Sequence, residues 1–175
     1  MPMGAIALLI LALAAQTAPA PPSGPPPATL CHTAQHGQFD FWLGQWDVYR
    51  ADTNQLVAHS LIEKLYGGCA VRENWMPLGG TGGGSLNSYR PARKQWEQYW
   101  TDSGNNLNVY IGGLQDSKMV LTGVSHSANG AVSPARMVYE KLPDGSVTQT
   151  GYTSSDSGKT WQLSYKLVYR HAAQH

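Results

Sequence analysis

From Gln45 onward the chain alternates in hydropathy with a period of two residues, and turn residues break the alternation at short intervals. That rhythm is strand-like and leaves no room for a convincing amphipathic helix. It predicts strands at about 45–51, 56–65, 70–76, 84–90, 95–102, 106–112, 117–124, 134–142, 146–153 and 160–170. The turns between them have a mechanism. Gly67-Gly68, Asp102–Asn106, Asn129-Gly130 and Asp144-Gly145 supply residues that tolerate positive φ, so their flanking runs read as hairpins. Nineteen glycines and eleven prolines fit the same picture. Many short antiparallel strands in sequence order point to an all-β fold, an antiparallel up-and-down barrel of about ten strands. Closure removes the edges that an open sheet would expose. A two-sheet sandwich is the alternative.

Ahead of the strands lie three different compositions. Ala5–Ala15 is apolar and of signal-peptide length, too short to span a bilayer. Six of the nine residues from Pro19 to Pro27 are proline, which excludes helix and central strand. His36–Leu43 then fits a short helical turn with Phe39, Trp42 and Leu43 on one face. The expected organisation is a signal peptide at 1–20, a Pro-rich linker at 21–35, a barrel domain at 36–170 and a tail at 171–175. It implies a periplasmic or secreted protein with no membrane span after cleavage. In such a compartment the two cysteines, Cys31 and Cys69, read most simply as one disulfide; two unrelated thiols are the other reading.

Net charge is +1 and 13% of residues are charged, so no basic field is available for nucleic acid. Six Trp and nine Tyr against two Phe is a choice suited to strand walls and pockets, because both rings carry a polar handle. Alternation places Glu73 with Trp75 on one strand face, Ser85, Asn87 and Tyr89 on the next, and Trp96, Gln98, Trp100 and Asp102 on the one after. With these faces inward, Glu73, Asn87 and Gln98 form a polar band among rings, as in a small-molecule site. With them outward, the tryptophans would cover a rim, an odd solvent face. The expected ligand-binding residues are therefore Glu73, Trp75, Asn87, Tyr89, Gln98 and Trp100, with the mouth of the cavity near Gly79–Gly84.

Other motifs carry less. The Gly79–Gly84 run lacks the Gly-Lys-Ser/Thr and the following helix of a phosphate loop. Ser154-x-Asp156-x-Gly158-x-Thr160-Trp161 matches the Asp-box of sialidases and other propellers once, where propellers repeat it. It reads as a hairpin with Asp156 capping local N–H groups, Gly158 at positive φ and Trp161 packed beneath. His59 and His126 are isolated. The pairs His32/His36 and His171/His175 have i,i+4 spacing but no further ligands, so no metal is expected.

The segment Phe39-Asp-Phe-Trp-Leu-Gly-Gln-Trp46 resembles the opening of a group of small exported bacterial domains of unknown function. Gly67-Gly-Cys69, Glu73-Asn-Trp75, Ser85-Leu-Asn87-x-Tyr89, Trp96-x-Gln98-x-Trp100-x-Asp102 and the Asp156–Trp161 turn extend the likeness over most of residues 36–170. Gly44-x-Trp46 within it looks like the first-strand signature of the calycins, the lipocalin-like barrels. The resemblance implies a calycin-like barrel in which a basic residue of the last strand, here Arg170, crosses Trp46. It brings no catalytic residue. The glycine-rich signature of haem-binding barrels is absent, so no cofactor is expected. Three functions fit: an exported barrel binding a small, partly apolar ligand; a barrel enzyme of isomerase, cyclase or hydrolase type with Glu73 as general base; or a structural or partner-binding module with a filled interior. Nothing in the pattern sets an oligomeric state.

Overall fold

The computed structural model describes residues 31–126 and 129–173. The expected signal peptide and the linker up to residue 30 lie outside the described residues. Ten strands follow in order: β1 (Gly44–Arg50), β2 (Leu56–Leu65), β3 (Ala70–Pro77), β4 (Gly83–Arg90), β5 (Gln95–Asp102), β6 (Leu107–Gln115), β7 (Lys118–His126), β8 (Val132–Lys141), β9 (Val147–Thr153) and β10 (Gln162–His171). Each pairs antiparallel with its sequence neighbour, and β10 pairs with β1 to close the barrel. None of the described strands is left with an open edge. None of the described helices is long and apolar enough to cross a membrane.

The hairpin turns use the expected backbone. Gly145 and Gly130 have φ of 85° and 83°, and Asn105 has 60°. The sixth strand departs from expectation, running on to Gln115 through Gly112-Gly113. A Cβ at Gly112 would lie 2.0 Å from the Val120 carbonyl oxygen of β7, so glycine here serves close strand approach and not a turn. The turn itself falls at Asp116-Ser117, both at positive φ, the geometry of a tight hairpin.

Two 3₁₀ turns, Ala34–Gly37 and Asp40–Trp42, close one end of the barrel. Phe39 and Trp42 are fully buried and stacked with centroids 5.0 Å apart, and they meet Trp96, Tyr139 and Tyr169 from the wall. A ring of this kind buries about 150–250 Å², which at about 25 cal/mol per Å² is about 4–6 kcal/mol as an upper estimate. Three ties hold the plug in place. Cys31 and Cys69 form a disulfide with Cα atoms 4.9 Å apart. Lys64 Nζ on β2 lies 2.5 and 2.7 Å from the Asp40 carboxylate and donates to the His36 carbonyl. Trp46 Nε1 donates to the Trp42 carbonyl at 2.9 Å.

Closure at β1–β10 corrects one expectation. Trp46 stands opposite His171, and the two rings stack at 4.0 Å. Arg170 stands opposite Asp47 on the outer face, with its guanidinium 4.5 Å from the Tyr49 ring centroid and bonded to Asn54. Adjacent strand residues point to opposite faces, so a register one residue away exchanges the partner completely. His171 accordingly belongs to β10 and not to a tail.

Candidate functional site

Alternation fills the barrel in three layers. At the plugged end lie Phe39, Trp42, Val48, Met119, Leu121 and Val147, all at zero exposure. The middle layer is polar: Ser60, Glu73, Ser85, Asn87, Gln98 and Gln149 are each 7% exposed or less and point inward with Tyr139 and Tyr169. Above them a cavity of about 380 Å³ reaches the other end of the barrel. Its walls include Trp75, Trp100, Tyr110, Met137, Tyr165 and Leu167, and Glu73, Gln149 and Tyr169 reach it from the floor.

The polar layer is one hydrogen-bonded ring around the barrel. Ser85 Oγ donates to Glu73 Oε2 at 3.2 Å, and Asn87 Nδ2 donates to Ser85 Oγ at 3.0 Å. Gln98 Nε2 donates to Asn87 Oδ1 at 2.6 Å and to the Tyr139 hydroxyl at 3.2 Å. Gln149 Nε2 donates to the same hydroxyl at 3.1 Å. The Tyr169 hydroxyl lies 2.6 Å from Gln149 Oε1 and 3.2 Å from Glu73 Oε1, which closes the ring. Ser60 Oγ is a third hydroxyl on the Glu73 carboxylate, at 3.3 Å. Buried polar groups need such partners, and the network meets most of the demand.

Among the described residues Glu73 is the only acidic side chain lining the cavity. Burial raises its pKa from 4.5 to about 7, against the opposing pull of the hydrogen bonds from Tyr169, Ser85 and Ser60. Burial also raises Tyr139 and Tyr169 well above the ordinary tyrosine range, and the Glu73 charge adds to the effect. Those two phenols stay protonated as the carboxylate titrates.

The six expected ligand residues separate. Glu73, Trp75 and Trp100 line the cavity, and Thr81 of the glycine run lies at its mouth. Asn87 and Gln98 do not line it; they are consumed by the floor network, each 1% exposed. Tyr89 lies at the plugged end, edge-on to His36 at 5.4 Å and 6.1 Å from Trp96. A strand about eight residues long crosses the whole barrel, so residues sharing a face do not share a depth. The opposite wall supplies the residues that strand alternation had not singled out: Met137, Gln149, Gly151, Tyr165, Leu167 and Tyr169. Their signal is the same period of two on β8, β9 and β10. Gly151 is specific to the site, because the Tyr165 ring crosses it so closely that a Cβ would lie 2.2 Å from Cε1.

The Asp156 loop lies at the open end. Asp156 accepts from Thr160 N at 2.8 Å and from the Thr160 and Ser154 hydroxyls, and Gly158 has φ of 87°. Trp161 is covered by the Arg136 guanidinium, 4.1 Å from its centroid. Among the described residues no group of three or more His, Cys, Asp and Glu is placed to hold a metal. No protein-family model matches the chain, and no curated protein matches it.

Proposed function

We propose that the domain is an exported, calycin-like barrel of the kind opened by Phe39–Trp46, and that it binds a small, partly apolar molecule in the cavity above Glu73. One observation carries the reading. A space of about 380 Å³ remains inside a barrel whose other end is packed solid with aromatic rings. A filled structural module has no use for such a space, and its size and lining suit a small ligand. Rings supply the area, and Glu73, Gln149 and the tyrosine hydroxyls orient the polar end. Export rests on the apolar leader, the Pro-rich segment and the disulfide.

Trp75 and Trp100 report on occupancy directly. Titration with a panel of small aromatic and aliphatic molecules should change tryptophan fluorescence saturably and raise the melting temperature. Absence of both responses across the panel would remove the reading. A carboxyl group near neutrality beside a tyrosine hydroxyl supports a second reading, in which Glu73 moves a proton on the bound molecule as general base. Turnover lost in Glu73→Gln while binding is retained would identify it.

A further inference from the structure

We propose that the cavity binds an organic cation, a protonated or quaternary amine, in exchange for a proton on Glu73. The inference rests on the ligand-binding reading above and names the class of ligand. It begins with the charges. Among the described residues Glu73 and Arg136 are the only acidic or basic side chains lining the space. Arg136 alternates with the buried, inward Ala135 and Met137, and its guanidinium is held over Trp161. It does not neutralise Glu73. No ion pair reaches Glu73 among the described residues, and its partners are the hydroxyls of Ser60, Ser85 and Tyr169. Every other neighbour in the polar layer is an amide or a phenol: Asn87 and Gln98 of β4 and β5, Tyr139 of β8, Gln149 of β9 and Tyr165 of β10.

Proton bookkeeping in the ring then fixes the resting state. Tyr169 has one hydroxyl proton and two acceptors, Gln149 Oε1 at 2.6 Å and Glu73 Oε1 at 3.2 Å. The shorter contact takes the proton. The single Tyr169 proton is thus shared unequally, its hydrogen bond to Glu73 Oε1 is the weaker one, and a protonated Glu73 can donate to the Tyr169 oxygen in its place. With Glu73 protonated every contact of this pair is satisfied, and the polar floor of the cavity carries no charge; the one charge left in the described lining is Arg136, turned onto Trp161. A buried carboxylate without a counter-charge is costly. A cation in the cavity supplies that counter-charge, and the proton leaves to solvent. The rings of Trp75, Trp100, Tyr110, Tyr165 and Tyr169 surround the same space, and aromatic quadrupoles favour a cation further. At the Glu73 end an anionic ligand gains from neither feature and a neutral one gains only area; Arg136, the group in the lining that would favour an anion, is engaged on Trp161.

The test compares three probes on the full chain: benzyltrimethylammonium, its uncharged carbon isostere neopentylbenzene, and 3-phenylpropionate. Binding is read by tryptophan fluorescence and calorimetry between pH 5 and 8. At pH 8 the cation should bind at least tenfold more tightly than the isostere. That advantage should shrink by about tenfold per pH unit as pH falls below 7, where the proton competes. Glu73→Gln should remove the preference for the cation. Calorimetry in buffers of different ionisation enthalpy should show a proton released per cation bound near pH 6, a signature that needs no variant. Equal binding of cation and isostere at pH 8, tighter binding of the carboxylate, or binding of the cation without proton release would overturn the inference and leave the cavity reading intact. Binding of none of the three would count against both.

Discussion

Replacing Glu73 by Gln should stabilise the protein at alkaline pH, and by an amount set by burial. In the native state the carboxyl group titrates near 7, and in the unfolded chain near 4.5. Between those values the native protein holds a proton that the unfolded chain has lost, so stability must fall as pH rises through this window. Below 4.5 both states are protonated and nothing is lost. Above 7 the full penalty applies. At about 1.4 kcal/mol per pH unit the window amounts to about 3 kcal/mol, to order of magnitude. Glu73→Gln keeps the shape of the side chain and offers its amide to Ser60, Ser85 and Tyr169 without titrating. Urea midpoints for both proteins at pH 5, 6, 7 and 8, converted with a shared m-value, give the difference curve. Subtraction removes every contribution that the two proteins share. The variant should gain on the wild type steadily from pH 5 to about 7 and then hold level. A flat difference, or a wild type that gains on the variant as pH rises, would refute the assignment of Glu73 as a desolvated, unpaired carboxyl group.

Three further outcomes follow from the same structure. Reducing the Cys31–Cys69 bridge, or replacing both residues by Ser, frees a separation of 38 residues and should cost up to about 4 kcal/mol in urea unfolding; mass spectrometry with and without prior reduction, after alkylation, should find both thiols blocked in the native protein. His171→Ala should lower stability by about 0.5–1.5 kcal/mol through loss of the Trp46 stack, whereas Arg170→Ala should change it by no more than about 0.5–1 kcal/mol, since Arg170 sits outside on Tyr49. Gln98→Leu should cost about 1–2 kcal/mol of stability and leave ligand affinity alone: it strands Asn87 Oδ1, but it also removes Gln98 Oε1, which already has no partner.

Strand order, turn positions and the inward faces of β3, β4 and β5 were legible because burial on one face forces a period of two, which survives without any knowledge of partners. Depth was not legible. Glu73 and Asn87 lie on adjacent strands, yet one reaches the cavity and the other does not. Their register, Glu73 opposite Ser85 and Val71 opposite Asn87, is set by pairing along the barrel and not by local pattern. The extent of β6 was hidden by Gly112-Gly113, which look like a turn because the Val120 carbonyl that forbids a side chain there comes from another strand. On β10 the bulge between Leu163 and Tyr165 changes which residues face in, so Leu163 points out while Tyr165, its ring partly exposed, has a hydroxyl that accepts from Gln149 and donates to Met137. Trp46 met His171 and not Arg170 for the same kind of reason: the strand pair was foreseeable, the register was not.

What the barrel keeps at its centre argues for use and not for stability. A glutamine at position 73 would accept from Ser85 through its oxygen and donate to the Ser60 and Tyr169 oxygens through its amide nitrogen, without the ionisation penalty of about 3 kcal/mol. Leucine-like packing, as at the plugged end, would cost less again than a carboxyl group under an open cavity. The two ends of one barrel have thus been filled by different rules. One is dry, aromatic and tied down by a disulfide and Lys64. The other is wide enough for a small molecule and holds, among the described residues, a single acid with no ion-pair partner. A destabilising group of this size is the kind of cost that functional sites carry in trade for activity. On the function proposed above, what offsets it in this barrel is a bound cation, a partner for Glu73 that the described residues do not provide.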